Sequence, residues 1–421
     1  MLMTTYLYEP IGATLALLTL PLVVELAVLT FASRFPRRRR ESSAGPAPIR
    51  LAVIIPAHDE EILISSCIES LLISSAGDPT RIIAIAHNCS DRTAERAAEA
   101  GAEVIVYDDP QAKGKGCALA HGFAYATSEG VDASLIVDAD STVSPNFIGA
   151  VRIALAHGAE AVQCRYEMES SSKRPTTRLT SLAFRGFNVV RPTGRDRLGL
   201  SAGILGNGFA VRQSVVGDNS YNSLSVVEDL EFHIRLVLSG KKVHFLNDAK
   251  VSSALPSTKQ GETTQRSRWE GGRANAARTW LGPLLRQLTR GRFRALEPAL
   301  DLASLPIGYG VALLMFAMVL PLAWIRIYAL IALLVIAGHV LVAAWSGTDF
   351  AGDMRVLARA PGYILWKIFM LPRLVRSSRT NSAWVRTERD EPAIALKGAA
   401  DASQASTMEH AVGIGTSLEI S

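Results

Sequence analysis

Ser134-Leu135-Ile136-Val137-Asp138-Ala139-Asp140 is a short apolar run that ends in two carboxylates separated by one alanine. The apolar part is too short for a helix and long enough for a buried strand. Extended residues at i and i+2 project to the same side. Asp138 and Asp140 could therefore share a divalent cation, Mg2+ or Mn2+, and through it a diphosphate. Taken alone, an Asp at a strand end is more often a turn residue or a helix cap.

Working outward, residues 51–55, 81–86 and 103–107 repeat the same short Val/Ile-rich pattern, and residues 60–74, 91–100 and 115–127 between them have helical periodicity. This alternation predicts an α/β fold with right-handed crossovers and a mostly parallel sheet. Ligands of such sheets bind beyond the carboxyl ends of the strands. Three segments then share one rim: Pro56-Ala57-His58-Asp59-Glu60-Glu61, His87-Asn88-Cys89-Ser90-Asp91, and Asp138-Ala139-Asp140.

The composition is 48% hydrophobic and 20% charged, with a net charge of +5 and a mean hydropathy of +0.20. That excludes a disordered or fibrous chain. The small basic excess points to a membrane surface or a phosphate-bearing ligand rather than to nucleic acid. Cys67, Cys89, Cys117 and Cys164 form no CxxC pair, which fits a reduced cytosolic setting and excludes a zinc-finger pattern.

Three stretches, 11–31, 302–324 and 327–345, are long and apolar enough to cross a bilayer. Arg34, Arg37, Arg38, Arg39 and Arg40 follow the first with no basic residue ahead of it. This opposes a cleaved signal peptide and places everything from Arg34 onward on the cytosolic side. The expected order is a span at 11–31, a basic linker at 32–48, a cytosolic globular domain at 49–300, spans at 302–324 and 327–345, an interfacial helix at 354–375 and a disordered tail at 391–421. Glu25 lies inside the first span, either facing another helix or tolerated as a lone charge.

Three further motifs carry chemistry. Lys113-Gly114-Lys115-Gly116 precedes a helix, where glycine backbone and lysines suit phosphate, although a flexible basic turn has the same composition. Glu228-Asp229 opens the helix at 228–238, either complementing its dipole or supplying a general base. Gln265, Arg268 and Trp269 fall on one helical face, where Arg could hold a diphosphate and Trp could stack on a sugar ring. The start of an amphipathic surface helix fits them too.

The ordered series PAHDEE, HNCSDRT, KGKG, DADS, Gly206-Asn207-Gly208, VED and QRSRW, flanked by one apolar stretch and then two, resembles the membrane-bound family 2 glycosyltransferases. The group in question is related to cellulose, chitin, hyaluronan and poly-N-acetylglucosamine synthases and to ceramide glucosyltransferase. The resemblance covers 49–269 and implies a GT-A fold that uses a nucleotide-sugar donor, usually a UDP-sugar, with Mg2+ or Mn2+. It implies that Pro56, Ala57, Glu60, His87, Lys115 and Asp138 bind the nucleotide-sugar and that Asp140 holds the metal. Asp229, with Glu228 beside it, would be the catalytic base of an inverting transfer. Gly206, Asn207, Gly208, Gln265, Arg268 and Trp269 would shape the diphosphate and acceptor sites. Two departures bear on base selectivity: His87 stands where the family carries Asp, and His58-Asp59 precedes the acidic pair where Asn is usual. His87 either meets the base or faces solvent and caps the turn that follows.

The function expected from this resemblance is sugar transfer to a lipid-linked or saccharide acceptor at the cytosolic face of the plasma (inner) membrane. Surface polysaccharide or glycolipid synthesis, with membrane lipid and a polysaccharide assembly complex as partners, is its setting. The alternatives are a processive synthase that extrudes its own polymer and a non-catalytic scaffold or transporter subunit that keeps the fold.

Overall fold

The computed structural model describes residues 2–36, 49–77, 79–112, 114–169, 175–219, 221, 227–255, 259–362 and 364, with side chains left aside at a few of these. Most of the expected linker at 32–48, Lys113, all but the start of the 354–375 helix and the tail at 391–421 lie outside the described residues. The Arg268 side chain does as well, although its backbone is helical.

The globular part is built on eight strands: β1 (Leu51–Ala57), β2 (Arg81–His87), β3 (Glu103–Tyr107), β4 (Ala133–Ile136), β5 (Ser141–Val143), β6 (Ala161–Glu169), β7 (Phe209–Arg212) and β8 (Val243–Ala254). They form one sheet in the order β3-β2-β1-β4-β7-β6-β8-β5. The β1–β2, β1–β4 and β2–β3 pairs are parallel, as the strand–helix alternation predicts. The second half departs from that expectation. β7 runs antiparallel to both β4 and β6, and β5 runs antiparallel to β8. The sheet is therefore mixed, and the antiparallel β7 carries the Gly206–Gly208 loop to the end of β4.

Alternation along β1 explains the two-layer core. Val53 and Ile55 face one side with Ile64, Ile68 and Phe147, while Ala52 and Ile54 face the other with Phe123, Phe209 and Phe232. Each such Ile or Phe stabilises the fold by roughly 1.5–3 kcal/mol when fully buried. The first crossover helix is Ile64–Ser74 rather than 60–74. Asp59 has a φ of +54°, and the Glu60 and Glu61 amides donate to the side chains of Thr93 and Asp91. The strand-end loops of β1 and β2 are thus tied together before the helix begins.

Helices Tyr8–Ala32 and Ala323–Trp345 are long and apolar enough to cross a bilayer. At the stretch expected as a span at 302–324 the structure has a bent pair, Phe293–Ala303 and Ile307–Val319, with 74° between the halves, the geometry of a broken span or a re-entrant loop. Pro306 explains the break. It donates no backbone hydrogen bond and disfavours helical geometry at Leu305, and Ser304 is already extended. The Ile307–Val319 half rises about 20 Å at 1.5 Å per residue, short of a hydrocarbon core of about 30 Å. Leu15, Leu22 and Leu26 of the first helix pack with Leu314, Ile325, Ala329 and Ile336 of the two later ones. A short helix, Phe350–Leu357, capped by the Asp349 side chain, overlaps the first residues of the helix expected at 354–375, whose remainder lies largely outside the described residues.

The first helix is fastened to the globular domain by close backbone approach and by charge. Gly194 sits where a Cβ would lie 2.2 Å from the Leu29 carbonyl oxygen, so only glycine lets the two helices cross there. Glu25 is 3% exposed and pairs with Arg191 and Arg195, which resolves its place inside the apolar run in favour of a facing helix.

Candidate active site

β4 ends at Ile136, and the turn that follows it, rather than the strand itself, carries Asp138 and Asp140 to the rim. Both line a cavity of about 840 Å³, together with Lys115, Gly206, Glu228, Asp229, Gln265 and Trp269. Residues from five separate segments thus meet in one place.

Lys115 is the first residue of helix Lys115–Ser128, preceded by Gly114 at a φ of +99°. Its ammonium donates to the Gly206 carbonyl at 2.6 Å and pairs with the Asp138 carboxylate. Gly206 has a φ of +80°, and a Cβ there would come within 3.1 Å of Asp229 Oδ2. Gly208, at a φ of +66°, leaves 2.4 Å between a would-be Cβ and the Val251 side chain. Both glycines are needed for the loop to pass between Asp229 and β8.

Asn207 does not open onto the cavity, which corrects its expected place at the acceptor. It is 1% exposed. It accepts from the Asp138 amide at 3.1 Å and donates to Ser141 and Ser253 at 2.8 and 3.2 Å. Asn207 is a brace that holds the Asp138–Asp140 turn against β8. Gly208 likewise packs inside and does not line the cavity.

Asp229 lies in the first turn of helix Glu228–Leu238 and accepts from the Leu230 amide at 2.8 Å. Burial pushes its pKa up and the nearby Asp138 carboxylate adds to this, while that amide bond and the Lys115 ammonium pull it down. A carboxylate held above its ordinary range is a stronger base, as removal of a hydroxyl proton requires. Gln265 is 6% exposed. Trp269 meets Phe184 edge-on at 5.2 Å, which fixes the indole at the cavity wall.

Pro56, Ala57, Glu60 and His87 sit on the strand-end rim but are not among the lining residues of this cavity. His87 is 4% exposed and stacks on Tyr107, which in turn stacks on His121. It does not face solvent. The Asn88 amide nitrogen lies 3.1 Å from its Nε2.

Oxygen donors alone face the cavity at the end of β4, which suits Mg2+ or Mn2+ rather than zinc. Among the described residues, the groups of three metal-ligating side chains are Asp59/Cys89/Asp91 and Glu25/Glu297/Asp301, and neither includes Asp138 or Asp140.

The sequence reading missed the wall beyond Asp229. Arg191 and Arg195 line the cavity and are matched by Glu25, Glu297 and Asp301, with Arg273 also on Asp301 at 2.9 Å. One signal was available: a glutamate in mid-span requires a cation, and the Arg191/Arg195 pair at i and i+4 lies just before the Gly206–Gly208 loop.

The family profile described as "Glycosyltransferase like family 2" matches residues 47–272. A probable glycosyltransferase of Bacillus subtilis, YdaM, is 27% identical over 254 residues, covering 58% of this chain and 59% of that protein. Glucomannan 4-beta-mannosyltransferase 7 of Arabidopsis thaliana is 28% identical over 176 residues, 41% of this chain and 32% of that one. The matches thus span less than two thirds of either relative. The solved structure of the mannosyltransferase PcManGT from Pyrobaculum calidifontis, in complex with GDP-Man and Mn2+, superposes with a TM-score of 0.52. It is 16% identical and covers 85% of this chain and 99% of that one, a likeness of fold.

Proposed function

The chain belongs to glycosyltransferase-like family 2, and from that premise we propose that it transfers a sugar, with inversion, from a nucleotide-sugar to a lipid-linked or saccharide acceptor at the cytosolic face of a membrane. One observation carries this reading: Asp138, Asp140, Lys115, Asp229, Gln265 and Trp269 meet on a single cavity that continues toward the apolar helices. A scaffold that merely kept the fold has no need of a buried base there.

In the proposed reaction the acceptor oxygen forms a bond to the anomeric carbon as the bond from that carbon to the diphosphate oxygen breaks. The electron pair leaves with the diphosphate, and the hydroxyl proton passes to Asp229. Lys115, at a helix start, neutralises the departing charge. Asp138 and Asp140 would hold Mg2+ or Mn2+, which when bound would polarise the diphosphate as a Lewis acid. Trp269 offers a face to a sugar ring, and Gln265 offers an amide to its hydroxyls. UDP-sugars are the proposed donors. The relatives named for mannosyl transfer and the GDP-Man complex place GDP-mannose beside them in the panel to be tested.

The deciding assay is donor hydrolysis by the purified chain, with UDP-glucose, UDP-N-acetylglucosamine and GDP-mannose, in Mn2+ and in excess EDTA. Turnover that requires the metal and disappears in Asp140→Ala supports the reading. Full turnover in EDTA removes the metal role of Asp140, and no turnover with any donor rejects the enzyme.

A further inference from the structure

The Asp138–Asp140 turn is backed by buried hydroxyls that the proposed reaction does not use. Ser141 opens β5 and stands opposite Ser253 of β8, and Met168 of β6 stands opposite Ser253 on its other side. Tyr166 lies two residues before Met168, on the same face of β6. Ser141 is 1% exposed, Ser253 2% and Tyr166 8%. Their neighbours in this layer are apolar, among them Ala139, Met168, Val251 and Leu255. Three hydroxyls in such surroundings are costly unless each is hydrogen-bonded.

The hydrogens of this group run in one direction. Asn207 accepts from the Asp138 amide through Oδ1, so its Nδ2 faces the two serines and donates to Ser141 at 2.8 Å and to Ser253 at 3.2 Å. Both amide hydrogens are then in use. Ser141 Oγ lies 3.1 Å from Asp140 Oδ1. A carboxylate only accepts, so the Ser141 hydrogen goes to Asp140. The 2.7 Å contact between the serines therefore uses the Ser253 hydrogen. The Tyr166 hydroxyl stands beside Ser253 and Asn207. With the Ser253 hydrogen spent, Tyr166 is the donor to Ser253. Each hydroxyl thus points its hydrogen toward Asp140.

We infer that Tyr166, Ser253 and Ser141 form a directed relay of hydroxyls that fixes the Asp140 carboxylate as a ligand for a divalent cation. They are positioning residues, because Ser141 meets Asp140 and the other two act through it. Hydrogen bonds in series polarise one another, so the two behind strengthen the Ser141 contact. Holding the carboxylate through Oδ1 sets where its second oxygen lies on the rim. Tyr166 and Asp140 both line the cavity, so the relay begins and ends on it. This rests on the glycosyltransferase reading and deepens its metal role.

The test uses the full chain in detergent. Free Mn2+ is read by electron paramagnetic resonance at saturating UDP, with GDP in a parallel series. Ser141→Ala is expected to weaken Mn2+ affinity by roughly 10- to 100-fold, the range for partners that orient a metal ligand. Ser253→Ala and Tyr166→Phe should weaken it too, by less at each step away from Asp140. Ser252 lies on the opposite face of β8, and its hydroxyl has no hydrogen-bond partner among the described residues. Ser252→Ala should leave Mn2+ affinity unaltered. Calorimetric UDP affinity in EDTA should be the same in all four variants, because Asn207 keeps its bond to the Asp138 amide. Unaltered Mn2+ affinity in Ser253→Ala or Tyr166→Phe overturns the relay. An equal loss of metal-free UDP affinity does so as well, since it would mean a general loosening of the site. If a serine variant does not fold, Tyr166→Phe decides, because it keeps the ring and removes only the hydroxyl. An unaltered chain that binds UDP but no Mn2+ overturns the inference and the metal role of Asp140, while donor hydrolysis still upholds the glycosyltransferase. Absence of donor hydrolysis with the graded Mn2+ series intact would instead sink the glycosyltransferase reading alone.

Discussion

The ammonium of Lys115 donates to the carbonyl oxygen of Gly206 at 2.6 Å. This joins the first turn of a crossover helix to a loop 91 residues further along the chain. The same ammonium pairs with Asp138, so one cation holds the loop next to Asp229 and the carboxylate at the end of β4. Lys115→Met removes a charge-assisted hydrogen bond, a group worth about 1.5–3 kcal/mol. Calorimetric affinity for the nucleoside diphosphate is expected to fall by roughly 10- to 100-fold. Unchanged affinity would show that Lys115 only braces the loop.

Asp229→Asn keeps the shape of the site and removes the proton acceptor. Turnover is expected to fall by about 10²- to 10⁴-fold with nucleotide affinity retained. The pH profile gives an independent check. Burial raises the Asp229 pKa above the ordinary carboxylate range, so turnover of the unaltered chain should decline as pH falls through that raised value. The sign for stability is opposite. The folded state binds more protons than the unfolded state between the ordinary and the raised pKa, so Asp229 destabilises the fold as pH rises through that window. Asp229→Asn should flatten both curves. Near-normal turnover in a folded variant removes Asp229 from the base role.

Glu25 joins the first helix to the globular domain through Arg191, Arg195 and the Ser304 hydroxyl, which donates at 2.7 Å. Removing one member of a buried charge network leaves the others uncompensated, at a cost on the order of 3–5 kcal/mol. Glu25→Ala should therefore lower the thermal midpoint in detergent markedly. Val28→Ala, at an exposed position of the same helix, should not. Equal midpoints for the two variants would mean that the network contributes nothing net.

How much of this was legible in the sequence follows from the range of each interaction. The parallel half of the sheet depends on local alternation of strand and helix patterns and is readable there, as is the helix start at Glu228-Asp229. Asp138 and Asp140, in contrast, lie in a turn beyond the end of β4 that alternation does not describe. The antiparallel β7 was missed because Phe209–Arg212 is short and its direction is set by partners far away in sequence. Asn207 was misjudged for the same reason. Whether an asparagine in a Gly-Asn-Gly loop faces a ligand or a serine on β8 depends on packing, not on its neighbours. The break at Ser304–Pro306 was readable in principle, because Pro306 sits inside the apolar run, but hydropathy averages over it.

His87 is the residue most particular to this chain. Three contacts fix the orientation of the Asn88 amide. Its Oδ1 accepts from the Asp109 amide at 2.8 Å, and its Nδ2 donates to the carbonyls of Asp109 and Ala112 at 2.9 and 3.1 Å. The amide nitrogen therefore faces His87 Nε2 with both its hydrogens committed to carbonyls, so a proton added to the ring there meets a donor nitrogen, offset in part by the Ala112 carbonyl. Burial lowers the His87 pKa, with His58 adding to this, against the Ala112 carbonyl and the carboxylates of Asp109 and Asp108. The folded state thus binds fewer protons than the unfolded state, and stability is lost as pH falls below the ordinary value of about 6.5. If the base also relies on this ring, UDP affinity should weaken over the same fall in pH. His87→Asp should remove that sensitivity and keep UDP binding, because a carboxylate accepts the same hydrogen bond down to its own, lower pKa. Calorimetric UDP titrations across this range separate the two roles. Matching pH profiles for the unaltered chain and His87→Asp would confine His87 to holding the turn behind the site.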